Sequence, residues 1–357
     1  MRDKHICFKV SRRKNSLKID SFAFCVLSYN HEEYIIEHLE SIKFLIAAYG
    51  KGIRFQIILN DDCSLDNTVS LADRWLSDNA GLFDKVDRIF NVSNVGTCKS
   101  VLNILDRLSS SYWKLTASDD VYSCENMFDW VGYTNRYEII SGVPLDLREG
   151  VISRRLSDII NIMATDLIYA KSSLLDRLKG ISVNNAPNIF YKAESIKEHS
   201  VLEFIGKHDV VEDLPIQVAI AERQPASKAL LIDKVFVYYR RTPGSTYIVA
   251  SKRFSKDQIN IFNYLICGEP SFFKKLMLKN RLFCFLLKHR MLKKMLNLSI
   301  YVYVIKLILV AVPLRTRFNH FRQNNPLDSH IEHYKKIKSS SRLYIMNLKQ
   351  GNECSRS

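Results

Sequence analysis

Phe55-Gln-Ile-Ile-Leu-Asn-Asp-Asp-Cys-Ser-Leu-Asp-Asn-Thr68 is the stretch that decides the fold. It opens as a strand-length apolar run, turns acidic at Asp61-Asp62, and leads into a segment whose Leu71, Ala72 and Trp75 keep helical spacing. The same order recurs on either side. Phe22–Leu27 runs into Ser28-Tyr29-Asn30, and Tyr112–Ala117 runs into Ser118-Asp119-Asp120. Between the first two runs, Ile35, Ile36, Leu39, Ile42, Leu45 and Ile46 repeat near the helical period over residues 32–49. A further run, Val86–Val92, passes through the turn Asn94-Val95-Gly96 into a helix faced by Val101, Leu102, Leu105 and Leu108. Strand and helix thus alternate four times in roughly 100 residues, the pattern of an α/β protein with a mostly parallel sheet flanked by helices. Open parallel sheets bind ligands beyond the carboxyl ends of their strands, which is where this chain concentrates its carboxylates.

Asp, Asn and Ser are also ordinary turn formers and helix caps. Two adjacent carboxylates at a sheet edge nevertheless repel unless a cation relieves them. Mg²⁺ or Mn²⁺ suits Asp119-Asp120, since such an ion takes one or two carboxylates and completes its shell with water and phosphate oxygens. Other chemistries lack their motifs. There is no GxGxxG fingerprint, no GxxxxGK[ST] phosphate loop and no GxSxG elbow. His330-Ile-Glu-His333 has no third ligand nearby in sequence and reads as a solvated helix face, not a zinc site.

Net charge is +15, and its distribution is uneven. Residues 271–327 hold twelve Lys or Arg and no Asp or Glu, leaving 40 basic against 37 acidic residues elsewhere. This basic segment is also rich in Leu, Phe, Ile and Val. That mixture fits an anionic membrane surface better than nucleic acid, so no nucleic-acid partner is expected. Its most apolar part, Met295–Leu314, is long enough in principle to span a bilayer. Lys306 in its middle would cost about 2.5–3.5 kcal/mol at the bilayer centre. An interfacial anchor is therefore the expectation, ahead of helices packed on the catalytic domain and of a true span. The eight cysteines are scattered and read as reduced, and residues 1–20 are basic and lack the apolar stretch of a secretory signal. A cytoplasmic protein, peripheral at the inner face of the cell membrane, is expected.

The second half is less regular. A strand is predicted at Leu167–Ala170, a loop over 181–189, and a helix opening at Glu212-Asp213-Leu214-Pro215 and ending near Glu222. Ala229 to Tyr239 reads as one strand that closes in Tyr239-Arg240-Arg241-Thr242-Pro243-Gly244-Ser245, and the composition shifts near residue 270.

In this order and spacing, Ser28-Tyr29-Asn30, the Asn60–Thr68 loop, Asn94-x-Gly96 and Ser118-Asp119-Asp120 resemble glycosyltransferase family 2. Looser matches are Asn185–Tyr191, Glu212-Asp213-Leu-Pro and Tyr239–Ser245, segments similar to those of bacterial surface-polysaccharide transferases. The resemblance implies a GT-A fold and metal-dependent, inverting transfer of a sugar from a nucleotide sugar to a saccharide or lipid-linked acceptor. It implies division into a nucleotide-sugar half (21–125) and an acceptor half (126–250). The resemblance fades beyond about residue 250, and composition adds a basic N-terminal tail (1–20), a basic membrane-associated helical segment (270–325) and a polar tail (326–357).

By the same resemblance, Tyr29 lies against the base, Asp61 or Asp62 on its polar edge, and Asn30 and Asn94 complete the nucleotide-sugar contacts. Asp120 binds the metal, with Asp119 near the ribose or in support. Asp213 is the general base and Glu212 its alternative. Lys99, Arg240 and Arg241 are phosphate contacts, although exposed strand-end or helix-start cations are common. The metal motif is Ser-Asp-Asp and not a strict Asp-x-Asp, a departure common in the family that loosens the metal assignment. The Gln-x-x-Arg-Trp of processive synthases is missing, which favours transfer of a single sugar. Two other readings of the chain are a nucleotidyltransferase on a similar fold and a basic nucleic-acid- or membrane-binding protein without catalysis.

Overall fold

The computed structural model describes residues 19–135, 137–242 and 252–354. Its first hundred described residues alternate as the hydrophobic pattern requires: β1 (Ser21–Ser28), α1 (Ile35–Tyr49), β2 (Arg54–Asp61), α2 (Thr68–Asp78), β3 (Lys85–Phe90), α3 (Thr97–Arg107) and β4 (Tyr112–Ala117). β1 lies between β2 and β4, parallel to both, and β2 pairs in parallel with β3. Successive side chains of a strand point to opposite faces, and both faces here are covered. Phe22, Phe24 and Val26 pack with α1 and with Trp75 of α2, whereas Ala23 and Cys25 pack with Cys98, Val101 and Ile104 of α3. All four strands therefore end on the same edge, with Ser28 opposite Asp61 and Leu27 opposite Ala117.

The chain continues through β5 (Val121–Tyr122), α4 (Phe128–Val131), β6 (Ile139–Ser141), β7 (Leu145–Arg148), β8 (Val151–Ser153), α5 (Leu156–Ile168), α6 (Leu174–Lys179), β9 (Ile189–Lys192), α7 (His199–Gly206), α8 (Asp213–Arg223), β10 (Ala229–Leu231) and β11 (Val237–Arg240). The main sheet has the order β10-β6-β9-β4-β1-β2-β3, in which β9 alone runs antiparallel to its neighbours. A second sheet, β5-β11-β7-β8, lies beside it.

Two strand expectations are corrected. Leu167 and Ile168 extend the apolar stripe of Ile159, Ile162 and Met163 and so finish α5 as helix. Residues 229–239 are not one strand. Asp233-Lys234 interrupts the run, so that β10 joins the main sheet and β11 the second one.

Six helices complete the described chain: α9 (Lys252–Cys267), α10 (Phe272–Leu286), α11 (Arg290–Met295), α12 (Leu298–Leu309), α13 (Ala311–Asn324) and α14 (Leu327–Cys354). The polar tail expected after residue 326 is the 28-residue α14, which runs along α1 and sends Tyr334 and Ile337 into a hydrophobic core and Tyr344 and Ile345 against another. Its His330 and His333 are buried, not solvated: Nδ1 of His330 lies 3.0 Å from the Tyr238 hydroxyl, and Nε2 of His333 donates to the Tyr122 carbonyl at 3.2 Å. Burial pushes both imidazoles down to about 4, so both are neutral.

Candidate active site

The strand ends open into one cleft of about 1150 Å³, walled on its far side by the start of α8 and the end of β11. It receives Tyr29 and Asn30 after β1, Asp62 after β2, Asn94 before α3, Asp119 and Asp120 after β4, and Glu212 and Asp213 at α8. Two expected residues lie elsewhere. Asp61 is fully buried and caps its own turn, accepting from the Ser64 amide (2.7 Å) and hydroxyl (2.5 Å). Lys99 is exposed on α3, outside the cleft.

Asp62 ties the next loop down. Its carboxylate accepts from the Val95 amide (2.8 Å), the Gly96 amide (3.0 Å) and Asn91 Nδ2 (3.0 Å). A carboxylate offers about four lone-pair sites, so one remains for a donor on a base edge. Gly96 has φ +88°, a region in which a side chain is strained. Asn30 and Cys63 also take positive φ, at 53° and 69°. The loops they shape are cross-bonded: the Asn30 amide donates to Ser64 Oγ and the Leu65 amide to Asn30 Oδ1, both at 2.8 Å. Tyr29, 45% exposed beside them, offers a ring face to a planar base.

The carboxylate pair is the electrostatic centre. Asp120 Oδ1 accepts from the Arg240 amide at 2.8 Å, while its Oδ2 is buried and has no hydrogen-bond partner. Burial, and then the charge of Asp119, hold the Asp120 carboxyl well above the usual carboxylate range. Asp119 Oδ2 lies 4.0 Å from His31 Nε2, and His31 Nδ1 is 2.8 Å from Ser118 Oγ. From below, the Asp120 carbonyl accepts from Nδ1 of His38, a histidine that burial keeps neutral by pushing it down to about 4.

A divalent ion fits these residues. The orphaned Oδ2 of Asp120 and the repulsion from Asp119 are what a cation would relieve. Among the described residues no cluster of three His, Cys, Asp or Glu could hold a metal, so the protein would supply the pair and substrate oxygens and water the rest.

Arg240 and Arg241 require a correction. Both line the cleft, yet their guanidinium groups are held by the protein's own carboxylates. Arg240 is 6% exposed; it pairs with Glu37 Oε2 at 2.5 Å, donates from Nε to the Asp119 carbonyl at 2.6 Å, and lies over the Tyr34 ring. Arg241 pairs with Asp146 at 2.8 Å and Asp158 at 2.6 Å. Buried guanidinium groups need such partners, and these come from elements far away in sequence. Pro243-Gly244-Ser245 lies outside the described residues.

Glu212 and Asp213 are partly buried at the N-terminus of α8. Their approach is fixed by Asp257 of α9, one oxygen of which accepts from the amides of Asp209 (2.9 Å), Val210 (2.7 Å) and Val211 (3.1 Å). Burial and then the charge of Asp213 push Glu212 up to about 8. Burial also raises Asp213, opposed by the Leu214 amide that donates to it at 2.7 Å. A carboxylate poised near neutral pH is suited to accept a proton. Glu37, His31, His38 and Asp257 were not foreseen. His31 directly follows Ser28-Tyr29-Asn30 and could have been noticed; the other three give no sequence signal.

Residues 23–141 match the family model described as Glycosyl transferase family 2. No curated protein matches the sequence. Among solved structures, S. aureus TarS 1-349 in complex with UDP-GlcNAc is 15% identical, with TM-score 0.53 over 90% of this chain and 92% of that one. S. aureus TarS is 16% identical, with TM-score 0.51 over 90% of this chain and 55% of that one. The mannosyltransferase PcManGT from Pyrobaculum calidifontis, in complex with GDP-Man and Mn²⁺, is 14% identical, with TM-score 0.51 over 88% of this chain and 85% of that one.

Proposed function

We propose that this chain, a glycosyltransferase with the GT-A fold and a family 2 segment at residues 23–141, moves one sugar from a nucleotide sugar to a saccharide or lipid-linked saccharide. The donor is uridine-linked, the reaction inverts the anomeric carbon, and the biological setting is assembly of cell-surface polysaccharide. One observation carries the reading: Asp62, the Asp119–Asp120 pair and the raised Glu212–Asp213 pair converge on one cleft, with Asp120 Oδ2 buried and unpartnered. In support, structures with this fold hold UDP-GlcNAc or GDP-Man with Mn²⁺.

Tyr29 stacks on the base and Asp62 accepts from its edge. Asp119 and Asp120 orient the diphosphate end of the donor. A divalent ion held by Asp120 would offset the negative charge that builds on the leaving diphosphate. Asp213, or Glu212 beside it, takes the proton of the acceptor hydroxyl as that oxygen bonds to the anomeric carbon. The bond from that carbon to the diphosphate oxygen breaks, and nucleoside diphosphate leaves. Cross-bonding of the Asn30 and Ser64 loops holds the donor end rigid, so that little ordering is needed on binding.

The test incubates the protein with Mn²⁺ and a panel of nucleotide sugars, with and without saccharide acceptors, and follows free nucleoside diphosphate. Release from one donor, abolished by chelator and by Asp120→Asn, is expected. Pyrophosphate release would favour a nucleotidyltransferase. Failure of every donor to bind with metal present would overturn the reading.

A further inference from the structure

The C-terminal helices carry an apolar face that no other described residue covers. α12 is held by α5 and α10: the Tyr303 hydroxyl donates to Asn161 Oδ1 of α5 at 3.0 Å, Leu307 packs against the core under that helix, and the Leu298 amide donates to Asn280 Oδ1 of α10 at 2.9 Å. Its other side shows Tyr301, Val302, Val304, Ile305, Ile308 and Leu309, with Ile305 at 60%, Ile308 at 68% and Leu309 at 77% exposure. At 3.6 residues per turn these positions span an arc of about 160°, with no polar residue except the Tyr301 hydroxyl. Lys306, the residue that argued against a true span, is exposed at the border of the arc, its ammonium 5.2 Å from the centre of the Tyr169 ring just past the end of α5. The charge in the middle of the apolar sequence thus sits at the rim of the face, not within it.

The same stretch does not form one span. α12 and α13 meet at a 72° bend, and no single helix among the described residues is long and apolar enough to cross a membrane. Pro313, in the first turn of α13, cannot donate into a continuous helix and accounts for the break. α12 alone is about 18 Å long, short of the ~30 Å hydrocarbon core. Exposed cations flank the face: Lys288, Arg290 and Lys294 before it and Arg315 after it, within a segment that has no acidic residue. Leu286, Met291 and Met295 widen the apolar area among them. Monomeric proteins rarely leave a contiguous apolar patch this long, and a cationic rim around one is the complement of an anionic bilayer surface.

We infer that α11 and α12 form a membrane-docking surface: the outward face of α12 inserts at the headgroup boundary of an anionic bilayer while the flanking cations contact lipid phosphates. The protein then works as a peripheral enzyme at the inner face of the cell membrane. The inference does not depend on the transferase reading, which adds only a reason for it, since a lipid-linked acceptor resides at that surface.

The experiment is flotation of the full chain with vesicles of phosphatidylcholine alone and with about 30% phosphatidylglycerol. Binding is expected to the anionic vesicles, to weaken with salt, and to drop about fivefold for each flanking cation removed, as in Lys294→Ala or Arg290→Ala. Ile305→Asp with Ile308→Asp, both on the outer surface, is expected to abolish binding at unchanged circular dichroism. Absence of wild-type binding to anionic vesicles, or full binding by that double variant, overturns the inference. So does a wild-type dimer in vesicle-free sedimentation equilibrium that the double variant dissociates, because the face then covers a second copy of the chain. Nucleoside-diphosphate release from a nucleotide sugar, measured without vesicles, is expected to be unchanged in the same variants, so failure of docking and failure of the transferase reading give different results.

Discussion

Glu37→Gln is the most informative single change, because it separates the carboxylate pair's support from the pair itself. Glu37 lies on α1 and Arg240 at the end of β11, 203 residues apart, and their buried contact is 2.5 Å. Removing one partner of a buried ion pair strands the other charge, at a cost of about 3–5 kcal/mol. Glu37→Gln should fall in that range, since Arg240 loses its charged partner and keeps the neutral contacts of the Asp119 carbonyl, the Tyr34 ring and the Tyr334 side chain. Arg240→Met should cost less, about 3 kcal/mol, because the Tyr334 hydroxyl 3.0 Å away continues to donate to Glu37. In the double variant neither charge is stranded, so the two costs should fall short of additivity by about 2–3 kcal/mol. Urea denaturation of the four proteins gives the cycle, read as midpoint shifts at constant slope. Additivity within about 0.5 kcal/mol would refute the reasoning, for the pair would then be uncoupled. The Arg240 amide donates to Asp120 in all four proteins, so folded variants should retain metal-dependent donor binding.

Asp120→Asn is expected to lower nucleoside-diphosphate release by about 10²–10³-fold, the usual scale for losing one charge-stabilising group, and to abolish its response to added Mn²⁺; retained metal response would remove Asp120 from the site. For Glu212 the folded-state pKa is raised to about 8, so its protonated form favours the fold. That stability is fully present below the ordinary carboxylate pKa and is lost as pH rises through about 8. Thermal denaturation between pH 6 and 9 should therefore show a decline that Glu212→Gln flattens; an unchanged slope would contradict the assignment. Gly96→Ala adds a Cβ that would sit 2.5 Å from Asp209 Oδ1 and 2.9 Å from the Asp209 carbonyl, at φ +88°. The strain should cost about 1–3 kcal/mol, with a raised KM for donor because Asp62 is bonded to the same turn; a variant of wild-type melting temperature would show that the turn can relax.

What the sequence makes legible here follows from the range of the interactions involved. Alternation of apolar runs is local, so β1 to β4 and their helices stand out, and each run's carboxyl end can be read without knowing its neighbours. Asp62, Asp119 and Asp120 were picked out that way, and all three line the cleft. Asp61 and Asp62 stood as alternatives because neighbours of the same charge cannot be told apart in sequence; the backbone turn, with Cys63 at φ 69°, decides which carboxylate faces the cleft. The single strand expected over 229–239 failed for a topological reason, since the two halves of one apolar run pair in different sheets. The histidines of α14 looked solvated because a helix face is buried by whatever docks on it, and the surface that buries His333 includes Phe44 and Tyr122 of distant segments.

The two arginines show what such distance conceals, and they bear on how the cleft handles charge. Near a diphosphate site, Arg240-Arg241 in sequence suggests a cationic clamp. In the fold, Glu37 neutralises the first, and Asp146 with Asp158 neutralises the second. Neither is then available in full to balance an incoming diphosphate. The carboxyl groups of Asp62, Asp119 and Asp120 remain at the donor end of the cleft. A cleft built this way repels a bare nucleotide diphosphate and becomes attractive to it only when positive charge is brought in at the Asp119–Asp120 pair. Donor affinity should accordingly depend on divalent cation more steeply than it would in a site with an unpaired arginine. The ion pairs that occupy Arg240 and Arg241 are thus the structural reason to expect a metal-bound donor.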